Sequence, residues 1–508
     1  MKDYSLKKIG LNGGNFNLFD QFLSRFSQCE KAIKVQGGQD LSRDDIERIV
    51  SSWSAQLISE GLKLGDRVSV VAEKSVSVLL LYFVCLRNGY IFNPLNPSYT
   101  EQELVFFLGD SRASLVIFDA QSFKKIKRVG TKFPDLKSIA IADFDLEASA
   151  PKQECSREYI ASDDIAALIY SSGTTGKPKG ICLSYGNLLS NGLALKKEWN
   201  FEKSDIVLHT LPLYHVHGLF IILSPAFLAG SSIVLLRKFD AKVVIDLLSS
   251  VTIMSGVPTY YSRMLKNHML KSINLSKIKI FLSGSAPLSR KLFEEFKRVT
   301  GHSILERYGM TETGVISSNP LNGTRKSGSV GLAITETFVR LVHDGSVISL
   351  PQKVGEIQVK GTSIFKQYWN RSESPFNAEG WFSTGDLAKR DEDGYIFIVG
   401  RSKDLIISGG MNVYPTEVET VIERISGIQE ASVFGVPHED FGEAVMVAII
   451  KDSDFELDEK NVTDSLKDNL ANYKIPKAII LLEELPRNSM GKVQKNKLRS
   501  EYSNYFSV

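Results

Sequence analysis

Cysteine is nearly absent. Four residues in 508, Cys29, Cys85, Cys155 and Cys182, lie far apart, with no CxxC pair and no companion histidine cluster. That spacing argues against a disulfide framework and a cysteine-ligated zinc site, and it fits a reducing, cytoplasmic setting. Net charge is scarce as well, because 61 Lys and Arg stand against 58 Asp and Glu for a formal +3. Without a basic stripe, nucleic acid is not an expected partner. The opening "MKDYSLKKIGLNGGNF" has neither the apolar stretch nor the small-residue cleavage site of a signal peptide, so none is expected. Long apolar runs are missing with one exception, "GLFIILSPAFLAGSSIVLL" at 218–236. Pro225, Gly230, Ser231 and Ser232 divide it, which predicts an apolar helix followed by a β-branched strand in a covered sheet, and no transmembrane segment.

What the chain does have is alternation. "DRVSVVAE" (66–73) reads as a strand, "SVSVLLLYFVCLRNG" (75–89) as a buried helix, "TEQELVFFLGDS" (100–111) as a helix capped by Thr100, and "ASLVIFD" (113–119) as a strand. Further strands are expected at 164–170, 205–211, 232–236, 251–256 and 278–283. Repeated βα units imply an α/β fold, a large N-terminal domain of parallel and mixed sheets covered by helices. Near Gly400 to Lys403 the texture changes to short strands, glycines and one helix. This divides the chain into an N-terminal domain, 1–401, and a small C-terminal α/β domain, 402–508, with strands at 431–436, 444–450 and 478–482 and a helix at 461–471.

The most loaded stretch is "DIAALIYSSGTTGKPKGICL" (164–183). A nucleoside-triphosphatase loop of the G-x4-G-K-[ST] form does not fit, because counting on from Gly173 meets Lys177 and then Pro178, which has no amide to offer a phosphate. What remains is a hinge of Gly173, Gly176 and Gly180 between two strands, carrying Ser171, Ser172, Thr174, Thr175, Lys177 and Lys179. Backbone amides and hydroxyls on such a turn cradle phosphate oxygens, and lysines add charge. A polar surface hairpin is the plain alternative.

"YSSGTTGKPKG" resembles the signature of the adenylate-forming enzymes, the superfamily of acyl-coenzyme A synthetases, luciferases and peptide-synthetase adenylation domains. Other blocks of that superfamily recur in order: "LPLYHVHGLF" (211–220), "SGSAPL" (283–288), "ERYGMTET" (306–313), "GWFSTGDLAKRDEDGYIFIVGR" (380–401), "SGGMNVYPTEVE" (408–419) and "PRNSMGKVQK" (486–495). The resemblance implies ATP, Mg²⁺ and coenzyme A. A carboxylate attacks the α-phosphorus to give an acyl-adenylate and diphosphate, and a thiol then displaces AMP.

Carried over block by block, the resemblance implies that Glu312 holds Mg²⁺ and that Thr311, with Thr175 of the hinge, contacts the phosphates. Tyr308 would stack on adenine, with Ser285 and Ala286 nearby, and Asp386 and Arg401 would hold the ribose. A carboxylate suits a vicinal diol because it accepts two bonds at once. Lys492 would bridge the acid and the α-phosphate, an ammonium being able to follow oxygens of changing geometry. The C-terminal domain would then swing about Lys403, bringing Gly409 and Gly410 to the pantetheine channel.

For the acid, the resemblance implies that His215 lines or gates the acyl pocket; the pair His215 and His217 lacks the further ligands a zinc site needs. "SGVPTYYSRMLKN" (255–267) puts Arg263 in the first two turns of a helix that borders the pocket in the family, where it would pair with a second carboxylate, near Ser283. With "PHEDFGEAV" (437–445), the blocks look most like those of malonyl-coenzyme A synthetases. Gly314 departs from that pattern and would open the pocket to longer acids. The rivals are a medium-chain fatty or aryl acid–CoA ligase with Arg263 in solvent, an adenylate former that loads a carrier protein, and a silent nucleotide-binding relative. The joint presence of Glu312, Asp386, Arg401 and Lys492 argues against the last.

Overall fold

The computed structural model describes residues 15–26, 31–151, 159–171, 178–452, 455, 459–467, 469–488 and 491–506. Four sheets organise them. In the six-stranded sheet, Lys137–Ala140, Leu115–Phe118, Arg67–Val71, Ile91–Leu95 and Ile165–Ser171 run parallel, and Lys179–Ser184 closes the edge as an antiparallel hairpin. The nine-stranded sheet has a parallel centre through Leu305–Met310, Ile280–Ser283, Ile253–Gly256, Ile206–His209, Ser232–Leu235 and Lys31–Val35, with antiparallel strands at its ends. The βα reading of the first half is therefore what forms.

Helix Val76–Asn88 explains its own sequence. Ser75 accepts from Val78 N at the start, Gly89 ends it at φ +67°, and all but one of its residues are buried. A helix apolar on every face is sandwiched in the core, here against Phe22 and Phe227 through Phe83. The 218–236 run divides as its breakers dictate. A wide turn His217–Ile221 leads into helix Leu223–Ala229, and strand Ser232–Leu235 follows Gly230, whose φ is +76°. A side chain at Gly230 would lie 2.3 Å from the Arg25 carbonyl oxygen. Among the described residues no helix is long and apolar enough to cross a membrane.

A five-stranded antiparallel sheet follows, Ser346–Ile348, Thr337–His343, Gly355–Gly361, Phe382–Arg390 and Ile396–Arg401. The last sheet, Met411–Val413, Ile406–Ser408, Gly442–Lys451 and Ile428–His438 with Ala478–Leu481 beside Gly442–Lys451, shares no strand with the others. Its separate apolar core, Ile406, Val418, Val433, Val447 and Leu466 among others, accounts for the change of texture near residue 400.

Candidate active site

The antiparallel pairing of Phe382–Arg390 with Ile396–Arg401 sets Asp386 opposite Arg401. Arg401 Nε lies 2.8 Å from Asp386 Oδ1, and the Tyr308 hydroxyl donates to Oδ2 at 2.5 Å. The carboxylate is 4% exposed. Each of its oxygens keeps a lone pair beyond these contacts, so it can still accept two bonds from a diol. Burial and the Asp386 charge together push the Tyr308 hydroxyl well above its ordinary range, so it stays a donor.

Glu312 is buried in the turn after Leu305–Met310, where Tyr368 donates to its Oε1 at 3.3 Å, and burial raises its pKa. Lys179 Nζ lies 5.0 Å from the centre of the same Tyr368 ring, at the last rung of the hairpin where it pairs with Ser171. Among the described residues no group of three His, Cys, Asp or Glu side chains could hold a metal ion. A single carboxylate suits Mg²⁺, which takes most of its ligands from phosphates and water. Ser172, Gly173, Thr174, Thr175, Gly176 and Lys177 of the hinge lie outside the described residues.

Lys492 approaches from the last sheet's side. Its loop is tied by Lys492 N to Asn488 Oδ1 at 3.0 Å and Gly491 N to Asn488 O at 2.9 Å, and Gly491 (φ +76°) passes close to Thr259. Burial, reinforced by the Arg401 charge, pushes the Lys492 ammonium down to about 8, with Asp386 and Asp404 opposing. Lys403 sits in the short turn Ser402–Asp404 between the last two sheets, where Arg499 donates to its carbonyl at 3.3 Å. Gly409 and Gly410 form the tip of the hairpin Ile406–Ser408/Met411–Val413 at φ +58° and +75°, and the space a Cβ on Gly410 would occupy is open for 4 Å around.

On the acyl side the structure separates two arginines by burial. Arg263 is exposed, on a helix whose buried face is Pro258, Tyr261 and Met264. The buried cation is Arg307, 6% exposed, whose Nε and Nη2 have no partner among the described residues. Its neighbour Glu306 cannot neutralise it, since adjacent strand residues face opposite sides; Glu306 instead accepts from Leu288 N at 3.1 Å, and burial raises its pKa to about 8. The guanidinium lies against Gly284, where any Cβ would come within 2.4 Å of it. Ser283, one residue before, is fully buried with its hydroxyl also unpartnered.

Two histidines complete this corner. His217 hydrogen-bonds Ser285 Oγ through Nδ1 at 3.0 Å and Ser255 Oγ through Nε2 at 2.9 Å, and its backbone N donates to His215 Nδ1 at 3.2 Å. Burial, with the Arg307 charge second, pushes His215 down to about 4 and His217 well down, so both are neutral near pH 7. Ser285 adopts φ +70°, a strained conformation that turns its hydroxyl to His217. Ala286 continues this loop. An unneutralised guanidinium beside uncharged imidazoles is arranged to receive an anion.

Beside it, a cavity is walled by Leu188, Asn191, Val216, Phe220, Thr311 and Gly314. Gly314, in this wall, is also required by backbone geometry: its φ is +64°, and a Cβ would sit 2.6 Å from the Asn191 amide. Arg307 belongs to the "ERYGMTET" block, but sequence reasoning missed it; the only signal is a charged pair, Glu306 and Arg307, inside a strand that the fold buries.

Beside one another stand a buried carboxylate with lone pairs to spare, a loop lysine of lowered pKa and an unneutralised cationic corner, an arrangement able to hold a nucleotide and an acid together. The chain belongs to the AMP-binding enzyme family, whose main domain matches residues 23–369 and whose C-terminal domain matches 417–492. It is 34% identical over 480 residues to a malonate–CoA ligase of Arabidopsis thaliana, covering 87% of this chain and 78% of that one. It is 32% identical over 507 residues to a long-chain-fatty-acid–CoA ligase of Bacillus subtilis, covering 91% and 90%. Among solved structures, ATP-bound MatB from Rhodopseudomonas palustris superposes with a TM-score of 0.92 at 39% identity, over 97% of this chain and all of that one.

Proposed function

We propose that this chain joins malonate to coenzyme A through malonyl-adenylate. It is an AMP-forming acid–thiol ligase with ATP and coenzyme A as co-substrates. The observation that carries the choice of acid is the buried Arg307 guanidinium with two unpartnered nitrogens, packed on the Gly284 that makes room for it and near the unpartnered Ser283 hydroxyl. A monocarboxylate would leave that charge buried and unpaired, whereas a second carboxylate satisfies it in the fork geometry that Arg offers.

In the first half-reaction one malonate carboxylate attacks the α-phosphorus and diphosphate leaves. Lys492, as its ammonium, lies between the attacking carboxylate and the α-phosphate oxygens and offsets their mutual repulsion. Asp386 takes the ribose diol, with Arg401 and Tyr308 orienting its carboxylate. Glu312 would hold Mg²⁺, which supplies charge neutralisation of the phosphates. In the second half-reaction the part of the chain beyond Arg401 turns about Lys403, and the Gly409–Gly410 tip gives the pantetheine arm room to bring its sulfur to the acyl carbon, releasing AMP. We place the protein in the cytoplasm, consistent with the free, buried Cys85 and Cys182.

The test is diphosphate release with malonate, acetate, octanoate and coumarate, with and without coenzyme A. Malonate should lead by a wide margin, and malonyl-CoA should appear only with the thiol present. A preference for octanoate or coumarate would overturn the dicarboxylate reading and favour the apolar cavity at Val216 and Phe220 as the acyl site.

A further inference from the structure

One lysine reaches from the main body to the last sheet at the edge that carries the Lys492 loop. Lys291 lies in the first turn of helix Arg290–Thr300, whose cap is the Ser289 hydroxyl accepting from Leu292 N. Its Nζ donates to the Ile428 carbonyl at 3.0 Å and lies 3.6 Å from Asp452 Oδ2. Ile428 opens strand Ile428–His438, and two residues on, Glu430 pairs with Arg487 Nη2. Arg487 Nη1 in turn donates at 2.7 Å to Gly491 O, the carbonyl just before Lys492. A continuous chain of contacts therefore runs from the main body to the reacting lysine.

The edge is acidic, and its charges are matched in a telling way. Glu419 is held by Lys495 at 2.5 Å and Glu430 by Arg487, both from the same side of the boundary. Glu423, at the end of helix Pro415–Ile422, is pushed up to about 8 by burial and by the like charges of Glu419 and Glu430, and Lys291 is the cation that opposes this shift. Lys291 thus matches Asp452 from across the boundary.

We propose that Lys291 is a positioning residue that latches the C-terminal sheet in the arrangement presenting Lys492, favouring adenylate formation over thioester formation. This rests on the reading above that Lys492 serves the first half-reaction. Lys291 and Asp452 are 46% and 31% exposed, so the latch is weak enough to open once per turnover and is screened by salt. A contact of this strength shifts a two-state balance by about fivefold.

The experiment compares Lys291→Ala, Lys291→Glu and Lys291→Arg in two assays: malonate-dependent exchange of labelled diphosphate into ATP, and malonyl-CoA formation from supplied malonyl-adenylate. Exchange should fall about fivefold in the Ala variant and further in the Glu variant, which faces Asp452 with a like charge. Thioester formation should be unchanged or faster, Lys291→Arg should behave as the parent, and adding Asp452→Lys to Lys291→Glu should restore part of the exchange. Equal loss in both half-reactions, or a Glu variant indistinguishable from Arg, overturns the proposal. A second readout needs no acid: energy transfer between labels at the exposed positions Glu294 and Glu484, with a non-hydrolysable ATP analogue bound, should shift in Lys291→Glu and not in Lys291→Arg. If the parent shows no malonate-dependent exchange, the malonate assignment fails, and this second readout alone decides the latch.

Discussion

Replacing Arg307 by methionine should make the free protein more stable and the enzyme far worse with its substrate. Burial pushes the guanidinium well below its ordinary value, down to about 10, and at about 1.36 kcal/mol per pKa unit the unliganded fold carries roughly 3 kcal/mol for holding this charge. The sign follows from a lowered pKa on a base: the cost is fully present below about pH 10, where both folded and unfolded chains are protonated. Methionine fills much of the stem volume, so little cavity is created and most of the cost is recovered as stability. The melting temperature should therefore rise. For malonate the same change strands the second carboxylate without its partner, a loss of about 3–5 kcal/mol, or roughly 10²- to 10⁴-fold in kcat/KM. Acetate has no second carboxylate and should change only a few-fold.

The assay is thermal unfolding with and without malonate, beside diphosphate-exchange kinetics on both acids. Malonate should raise the melting temperature of the parent and leave that of Arg307→Met unchanged. Arg263→Ala serves as the contrast and should leave malonate kinetics intact, because its side chain is exposed. Should Arg307→Met lose malonate and acetate turnover equally while melting lower than the parent, Arg307 is a structural residue and the acid assignment fails.

Two other outcomes follow from the same geometry. The first half-reaction needs the Lys492 ammonium, whose pKa in the free enzyme is about 8; kcat/KM for diphosphate exchange should be level below that pH and fall about tenfold per unit above it, and a profile still level at pH 9 would remove Lys492 from its role. Gly314→Ala should lower stability by about 1–3 kcal/mol in denaturant unfolding, from the left-handed backbone and the Asn191 contact; Asn191→Gly should relieve only the contact. Recovery of the whole loss in the double variant would show the backbone contribution to be negligible.

Much of the fold is legible in the chain alone. Period-two and all-apolar runs mark the strands and the buried helix Val76–Asn88, since local burial patterns repeat with the element's own geometry. Thr100 reads as the cap of Glu101–Ser111, and its hydroxyl accepts from Glu103 N. The burial of a given arginine is where such reading stops. Eight residues of helix, Pro258–Leu265, place a charge somewhere around a turn, but which side meets the core depends on what packs against it.

The sequence by itself determined the alternation of strands and helices, the change of texture near residue 400 and the ordered blocks that contain Asp386, Glu312 and Lys492. Those are properties of short segments, carried by periodicity, turn residues and fixed spacing. Only the tertiary structure decided which arginine is buried without a partner, why Gly284 and Gly314 cannot carry side chains, and that Lys291 meets an edge more than a hundred residues away. Desolvation and steric contact depend on what surrounds a group in space, and for these residues the surroundings come from distant parts of the chain.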